Sequence, residues 1–191
     1  MSRIVVVGSG VAGLVAALEL ADAHDVTLVT KARLAESNTR YAQGGIAAVM
    51  FEDDSVAKHI DDTLEAGAGL CDRPAVEVLC KEGPARIRDL IAIGVAFDQK
   101  NGQFARGMEG AHSYPRVLHA GGDATGLAIE TALIRAVREA PIEVLEYTFA
   151  CDLILERGET VNRITVPEEI AAPARVALER MLAANPAPQT R

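Results

Sequence analysis

The stretch IVVVGSGVAGLVAAL, residues 4–18, decides the fold of this chain. It opens with a β-branched run that predicts a strand buried on both faces, and it ends in apolar residues at helical spacing. Gly8-Ser9-Gly10-Val11-Ala12-Gly13 lies between the two, and a second β-branched run, Val26 to Val29, follows. A GxGxxG turn between a strand and a helix predicts a βαβ unit that binds a dinucleotide.

The three glycines of this turn have separate predicted roles. We expect Gly8 to make the tight turn, Gly10 to let the backbone approach a pyrophosphate, and Gly13 to let helix and strand pack closely. The pyrophosphate would lie at the helix N-terminus, where N–H groups and the helix dipole favour negative charge. The alternative, a structural turn that binds nothing, is disfavoured by the flanking strand and helix.

Composition limits the function classes. A chain of 191 residues, 49% apolar and 24% charged, is predicted to be globular with one sizeable core. The net charge of -8 argues against nucleic acid and anionic membranes as partners. No apolar run reaches the ~20 residues that would span a bilayer. Cys71, Cys80 and Cys151 are odd in number and lack CxxC spacing, which predicts free thiols in a reducing cytoplasm and no metal site.

The middle of the chain has the pattern of helices. Ser55 is predicted to cap a helix that ends near Gly67. Asp72 starts the next helix, which we expect Gly83-Pro84 to interrupt and Gly94 to end. An Asn-Gly pair then predicts a short hairpin around residues 97–104.

Residues 105–126, ARGMEGAHSYPRVLHAGGDATG, have no sustained period. Compact domains seldom keep structureless loops beyond ~12 to 15 residues unless they line a site, so this loop is predicted to be functional. Its polar side chains could hold a charged substrate or close over a cofactor. They are Arg106, Glu109, His112, Tyr114, Arg116, His119 and Asp123. The alternative for Asp123, shared with Thr125, is to cap the helix that follows, and this role does not exclude the other. His59, on the helix after Ser55, is predicted to lie on a solvated face.

Five segments together resemble, in order, the N-terminal part of the L-aspartate oxidases, within the succinate dehydrogenase and fumarate reductase flavoprotein family. They are GSGVAGLVAALEL, SNTRYAQGGIAAV, DDTLEAGAGLCD, EGAHSYPRVLHAGGDATG and the strand from Ala150 to Ile154. The resemblance covers about residues 3–156. It implies an α/β fold: a Rossmann-like FAD-binding βαβ unit with inserted helices, incomplete relative to the family, followed by a C-terminal amphipathic helix.

The resemblance also implies an FAD site. Ser9 to Ala12 would approach the phosphates, Lys31 would lie by the adenosine end, and Ala150 would contact the adenine side through its backbone. Asn38-Thr39-Arg40-Tyr41-Ala42-Gln43-Gly44-Gly45 would run along the flavin. Nicotinamide-binding folds usually have an acid where Lys31 stands, which counts against the alternative of an NAD-dependent dehydrogenase.

Two details of the flavin segment have a chemical meaning. Side chains at Gly44 and Gly45 would block backbone N–H groups from the isoalloxazine ring. Succinate dehydrogenases and related fumarate reductases have a histidine near position 38 that bonds covalently to FAD, whereas Asn38 stands here. The resemblance therefore implies noncovalent FAD.

The implied reaction is the oxidation of L-aspartate to iminoaspartate, the first step of NAD biosynthesis through quinolinate, with oxygen or fumarate as electron acceptor. Glu109 matches the family's glutamate that orients the substrate, and we expect it to attract the ammonium group. An exposed loop acid without a role is the alternative for Glu109. His112, Ser113 and His119 are weaker candidates for the same pocket.

Residues 157–191 do not resemble the family, so we predict domains at 1–156 and 157–191. Complete family members are several hundred residues long, and their acid/base arginine lies in parts that this chain is expected to lack. The tail is predicted to form an amphipathic helix, kinked at Pro173, and a loose end. Residues 162–182 resemble the C-terminal end of quinolinate synthase, which makes that enzyme a candidate partner. A non-catalytic flavin-binding fragment or chimeric module is the alternative reading of the whole chain.

Overall fold

A computed structural model describes residues 2–151, 154–156 and 159–161 of the chain. The described residues form two compact units, one of residues 2–37 with the described residues from 133 onward, and one of residues 38–132. The helices in the described part are α1 (Val11–Ala21), α2 (Val56–Ala66), α3 (Arg73–Ile93) and α4 (Thr125–Glu139), with a short 3-10 helix at Asn38–Tyr41. The strands there are β1 (Arg3–Val7), β2 (Asp25–Val29), β3 (Ile46–Ala47), β4 (Gln99–Lys100), β5 (Gln103–Phe104), β6 (Val117–Leu118), β7 (Ile142–Leu145), β8 (Ile154–Glu156) and β9 (Glu159–Val161).

The first unit is built on a parallel sheet with the order β1-β2-β7. Strands β1 and β2 are parallel, with Val5 opposite Thr27, and β2 and β7 are parallel, with Leu28 opposite Val144. Helix α1 connects β1 to β2 and buries Leu14 and Ala17 completely. The predicted βαβ unit and the α/β fold class are therefore confirmed.

The two predicted buried strands differ in their burial. In β2, Val26 to Val29 are buried, because β2 lies between β1 and β7. In β1, residues 3–6 are only half-buried and Val7 is 61% exposed. Among the described residues β1 pairs with β2 alone, so the prediction of a strand buried on both faces is wrong for β1.

Local capping interactions determine where α2 and α3 of the second unit begin and where α3 ends. Ser55 Oγ accepts a hydrogen bond from Lys58 N at 3.3 Å, and Asp72 Oδ1 accepts one from Ala75 N at 3.0 Å. Gly94 closes α3 in the left-handed region, with φ 106°. These caps confirm the predicted starts of α2 and α3 and the predicted end of α3.

The predicted interruption at Gly83-Pro84 is wrong, because α3 runs through it without a break. A proline inside a helix normally clashes with the Cβ of the preceding residue in the helical conformation. Gly83 has no Cβ, which removes that clash. The pair therefore costs α3 one hydrogen bond and does not end the helix.

Two short antiparallel pairs complete the second unit. Strands β4 and β5 form the predicted hairpin, with Asn101 at φ 56° and Gly102 at φ 79°. Strand β3 pairs with β6, with Ile46 opposite Leu118. Strand β6 lies inside the segment 105–126 that the sequence shows as aperiodic, because a strand of two residues is too short to produce a period.

The predictions for the tail fall largely beyond the described part of the chain. Residues 162–182, for which the sequence predicts an amphipathic helix and a resemblance to quinolinate synthase, lie outside the described residues. In the part that is described, we find no helix long and apolar enough to cross a membrane.

Candidate functional site

The glycine turn of the first unit has the geometry that a pyrophosphate needs. Gly8 has φ 108°, and its N–H donates to Val29 O at 2.8 Å, so the turn is tight and tied to β2. A Cβ at Gly13 would lie 1.9 Å from Gly8 O, so only glycine allows the helix this close to the turn. Gly10 has φ -71°, which any residue adopts. The backbone conformation therefore does not require glycine at this position.

The N-terminus of α1 is suited to an anion. Its first turn carries no acidic residue, and Val11 and Ala12 are exposed to solvent. The Ser9 side chain is buried and its hydroxyl lies 3.0 Å from Thr30 Oγ1, so backbone groups form the surface of the turn. The partial positive charge of the helix N-terminus therefore faces solvent at the turn, and the turn fits the FAD phosphates.

Lys31 and Ala150 lie near the same edge of the sheet. Lys31 follows β2 and is exposed, while Thr148, beyond β7, donates from its N–H to Thr30 O at 2.9 Å. The carboxyl ends of parallel strands are where ligands bind in such sheets. The structure thus brings the glycine turn, Lys31 and the segment before Ala150 to one edge of the first unit.

In the second unit, residues 38–45 form a shelf that is held by Gly126. The Gly126 N–H donates to Ala42 O at 3.2 Å, and a Cβ at Gly126 would lie 2.1 Å from Thr39 O. All eight residues from Asn38 to Gly45 are partly or fully exposed to solvent, and Gly44 has φ 80°. Gly126 was not predicted from the sequence, although a glycine directly after the first residue of a helix is a signal of close approach.

Glu109 lies next to the end of this shelf. Its Oε1 is 3.0 Å from His119 Nε2 and 4.0 Å from the position that a Cβ on Gly44 would occupy. A Cβ on Gly45 would lie 2.9 Å from the same imidazole nitrogen. The predicted substrate carboxylate and the predicted flavin segment are therefore neighbours within one unit.

A buried ion cluster holds the loop that carries Glu109. Arg116 is fully buried and donates two hydrogen bonds to Asp54, at 2.8 and 2.9 Å, and one to Asp62. The N–H and hydroxyl of Ser113 also donate to Asp62, both at 2.9 Å, and Arg116 donates to His112 Nδ1 at 3.1 Å. Helix α2 and the segment before it are thereby fixed to the loop.

The charges in this cluster shift the pKa values of its two carboxyl groups. Burial opposes ionisation of both carboxyl groups, but hydrogen bonds from Arg116 outweigh it. The pKa of Asp54 is lowered, with help from Ser55 N–H, and the pKa of Asp62 falls to about 2, with help from Ser113. Both carboxylates stay ionised at neutral pH, so the ion pairs with Arg116 hold the loop to α2 at that pH.

His59 is not on a solvated face, which corrects the prediction made from sequence. It is 6% exposed and its ring centroid lies 5.7 Å from that of His112. Burial, followed by the nearby Arg116 charge, lowers the pKa of His59. His59 is three residues before Asp62 on α2, so it lies on the side of the helix that carries the ion pair to Arg116.

Comparisons with known proteins agree with this geometry. The family model described as FAD binding domain matches residues 3–184. The chain belongs to the FAD-binding domain family. FAD is accordingly the cofactor of the fold, and the glycine turn and helix N-terminus of this FAD-binding domain are the groups suited to its phosphates.

Three curated relatives are L-aspartate oxidases. The protein from Streptomyces coelicolor is 51% identical over 162 residues, which are 83% of this chain and 28% of that protein. The chloroplastic protein of Arabidopsis thaliana is 51% identical over 78% of this chain and 23% of its own length. The Bacillus subtilis protein is 38% identical over 95% of this chain and 34% of its own length. The FAD-binding domain thus spans about a quarter to a third of the relatives that it matches.

Solved structures place the fold among related flavoproteins. The Sdh1 complex of Mycobacterium smegmatis in the apo form matches with a TM-score of 0.75 and 33% identity, over 84% of this chain and 30% of that chain. A quinol-fumarate reductase with menaquinol molecules matches with a TM-score of 0.76 and 25% identity, over 84% and 29%.

Proposed function

We propose that this chain is the FAD-binding part of a flavoenzyme that oxidises L-aspartate to iminoaspartate. The single observation that carries the proposal is the Glu109 carboxylate held beside Gly44 and Gly45, where the flavin segment ends. The names of the relatives, L-aspartate oxidase at up to 51% identity, support the choice of substrate. The reaction would supply the first intermediate of NAD biosynthesis through quinolinate.

The residues that would hold FAD fall into two groups. Gly8, Ser9, Gly10, Val11, Ala12 and Gly13 would bind the phosphates, with Lys31 and Ala150 toward the adenosine. Asn38, Thr39, Arg40, Tyr41, Ala42, Gln43, Gly44 and Gly45 would line the flavin. Bound FAD would supply the hydride acceptor, with oxygen or fumarate as the final electron acceptor. Asn38 offers no ring nitrogen for a covalent bond to the flavin, which supports noncovalent binding.

Glu109 has the role of orienting the substrate. Its carboxylate is 48% exposed at the side chain and carries the charge that attracts an ammonium group. Aspartate differs from other four-carbon dicarboxylates in having that group, so an acid here favours aspartate over them. Orientation of the amino group also fixes the direction of the Cα–H bond.

One observation favours a second candidate, a non-catalytic flavin-binding module. Large apolar side chains are exposed, with Leu70 at 94%, Leu79 at 65% and Val7 at 61%. Such surfaces commonly meet other protein, and the chain matches only part of its relatives. In that case the catalytic groups would come from elsewhere.

The cellular setting is also part of the proposal. Three free cysteines, Cys71, Cys80 and Cys151, support a reducing compartment such as the cytoplasm. The proposal of quinolinate synthase as a partner rests on the resemblance of residues 162–182 alone.

The test is the visible spectrum of the purified chain after mixing with FAD and desalting, followed by L-aspartate without oxygen. A retained flavin band that bleaches with L-aspartate, but not with D-aspartate, is the expected result for the oxidase. A band that is retained and does not bleach with either would support the binding module and contradict catalysis by this chain.

A further inference from the structure

We propose that His119 is a positioning residue that donates a hydrogen bond from Nε2 to Oε1 of Glu109 and so leaves Oε2 for the ammonium group of an amino-dicarboxylate. This inference rests on the proposed function and deepens it, because it assigns the residue that sets the specificity of the site. Sequence alone ranks His119 no higher than its neighbours.

The distance between the two groups supports a direct bond. His119 Nε2 and Glu109 Oε1 are 3.0 Å apart, which is the usual length for an N–H···O bond to a carboxylate. The His119 side chain is 23% exposed and the Glu109 side chain is 48% exposed. The imidazole is therefore the more firmly packed partner, and the carboxylate is the one that needs to be held.

The surroundings of His119 fix its ring. It follows β6, which pairs with β3, and its carbonyl accepts a hydrogen bond from Asp98 N at 2.7 Å. Two glycines leave the space that the ring fills. A Cβ on Gly107 would lie 2.6 Å from Cε1, and a Cβ on Gly45 would lie 2.9 Å from Nε2. Either side chain would push the imidazole away from Glu109.

Glutamate needs such support because its side chain has three rotatable bonds. The backbone of Glu109 is held by a turn, in which its carbonyl accepts a hydrogen bond from His112 N at 3.3 Å. That bond fixes the backbone and leaves the carboxylate free to rotate. A bond from His119 to one oxygen restricts the rotation and directs the other oxygen outward, which lowers the entropy lost when a cation binds.

The first experiment tests the bond itself without FAD or substrate. The ¹⁵N resonance of His119 Nε2, assigned by loss of the signal in His119→Gln, is measured in the apo chain and in Glu109→Gln. We expect the resonance to shift in Glu109→Gln and to stay unchanged in the control Glu52→Gln, which alters an exposed acid elsewhere in the same unit. An unchanged resonance in Glu109→Gln would overturn the inference.

The second experiment tests specificity in the FAD-loaded chain. The change in the flavin spectrum is titrated without oxygen with L-aspartate and with succinate, which has the same two carboxylates and no ammonium group. His119→Leu should weaken the response to L-aspartate about tenfold or more, as expected for the loss of a charge-assisted hydrogen bond, and leave succinate nearly unchanged. His119→Gln, which retains an N–H donor, should restore most of the L-aspartate response.

The outcomes separate the inference from the proposed function. Equal weakening of both ligands in His119→Leu, with no recovery in His119→Gln, would show a merely structural role and overturn the inference. The control His24→Gln, in the first unit, should behave like the unaltered chain. If the unaltered chain responds to succinate but not to L-aspartate, the proposed function fails, whereas the resonance of His119 still decides whether the bond exists.

Discussion

Arg116→Met is the substitution that should damage this fold most through electrostatics. Arg116 and the side chain of Asp54 are both 0% exposed, so no water can replace the two hydrogen bonds from Arg116 that Asp54 loses. Asp62 is 12% exposed and keeps its two bonds from Ser113, so it loses less. The main cost is therefore one buried carboxylate left without its counter-charge.

The expected loss of unfolding free energy follows from that one unpaired carboxylate. Breaking a buried ion pair by removing one partner costs about 3 to 5 kcal/mol. We take about 4 kcal/mol, which raises the unfolding equilibrium constant about a thousandfold. For a chain of this size the melting temperature should fall by roughly 10 °C. The assay is urea unfolding at neutral pH, followed by circular dichroism.

Two further variants make this prediction specific. Arg86→Met removes an exposed guanidinium that pairs with Asp89, where both side chains are more than half exposed, and should change the unfolding free energy little. Adding Asp54→Asn to Arg116→Met should recover part of the loss, because the unpaired charge is then gone. If Arg116→Met is no more destabilising than Arg86→Met, the assignment of a buried charge cluster is refuted.

Three other predictions concern stability and reactivity. Although burial opposes its ionisation, hydrogen bonds lower the pKa of Asp62 from 3.8 to about 2, so the stability it contributes is complete above about pH 4 and is lost as the pH falls through about 2. Urea unfolding at several pH values across this range should show that Asp62→Asn loses less unfolding free energy on acidification than the unaltered chain. An equal loss in both proteins would contradict the lowered pKa. Gly13→Ala places a Cβ 1.9 Å from a backbone oxygen and should destabilise the first unit by about 3 kcal/mol in thermal melts, whereas Gly110→Ala, at an open position with ordinary φ, should not. Burial raises the pKa of the Cys80 thiol, so iodoacetamide should label exposed Cys151 much faster, as read by peptide mass spectrometry; equal rates would show that Cys80 is accessible.

Features set by neighbouring residues could be predicted from sequence. The close approach of Gly13 to Gly8, the caps at Ser55 and Asp72 and the left-handed end at Gly94 all depend on contacts within a few residues. The sequence carries those contacts directly, since a cap needs only an acceptor side chain three residues before a free N–H. The fold class followed from the same local signals.

Features that depend on distant residues could not be predicted. Asp54 and Arg116 are 62 residues apart, and nothing in either local pattern links them. His59 lies on the same side of α2 as Asp62 and is buried, so its exposure was predicted wrongly from the helix pattern. Glu109 was singled out by resemblance and His119 was one of three weaker candidates for the same pocket, but the hydrogen bond between them is seen only in the structure.

The most direct test of the central claim is the amount of FAD that the chain retains after desalting, in the unaltered protein and in Gly10→Val. Gly10 has φ -71°, so a valine there would not strain the backbone, and its side chain would stand where the proposed pyrophosphate lies. We predict that the unaltered chain and Glu109→Gln retain the flavin band, and that Gly10→Val folds and loses it. Retention of FAD by folded Gly10→Val would contradict the placement of the phosphates at the N-terminus of α1.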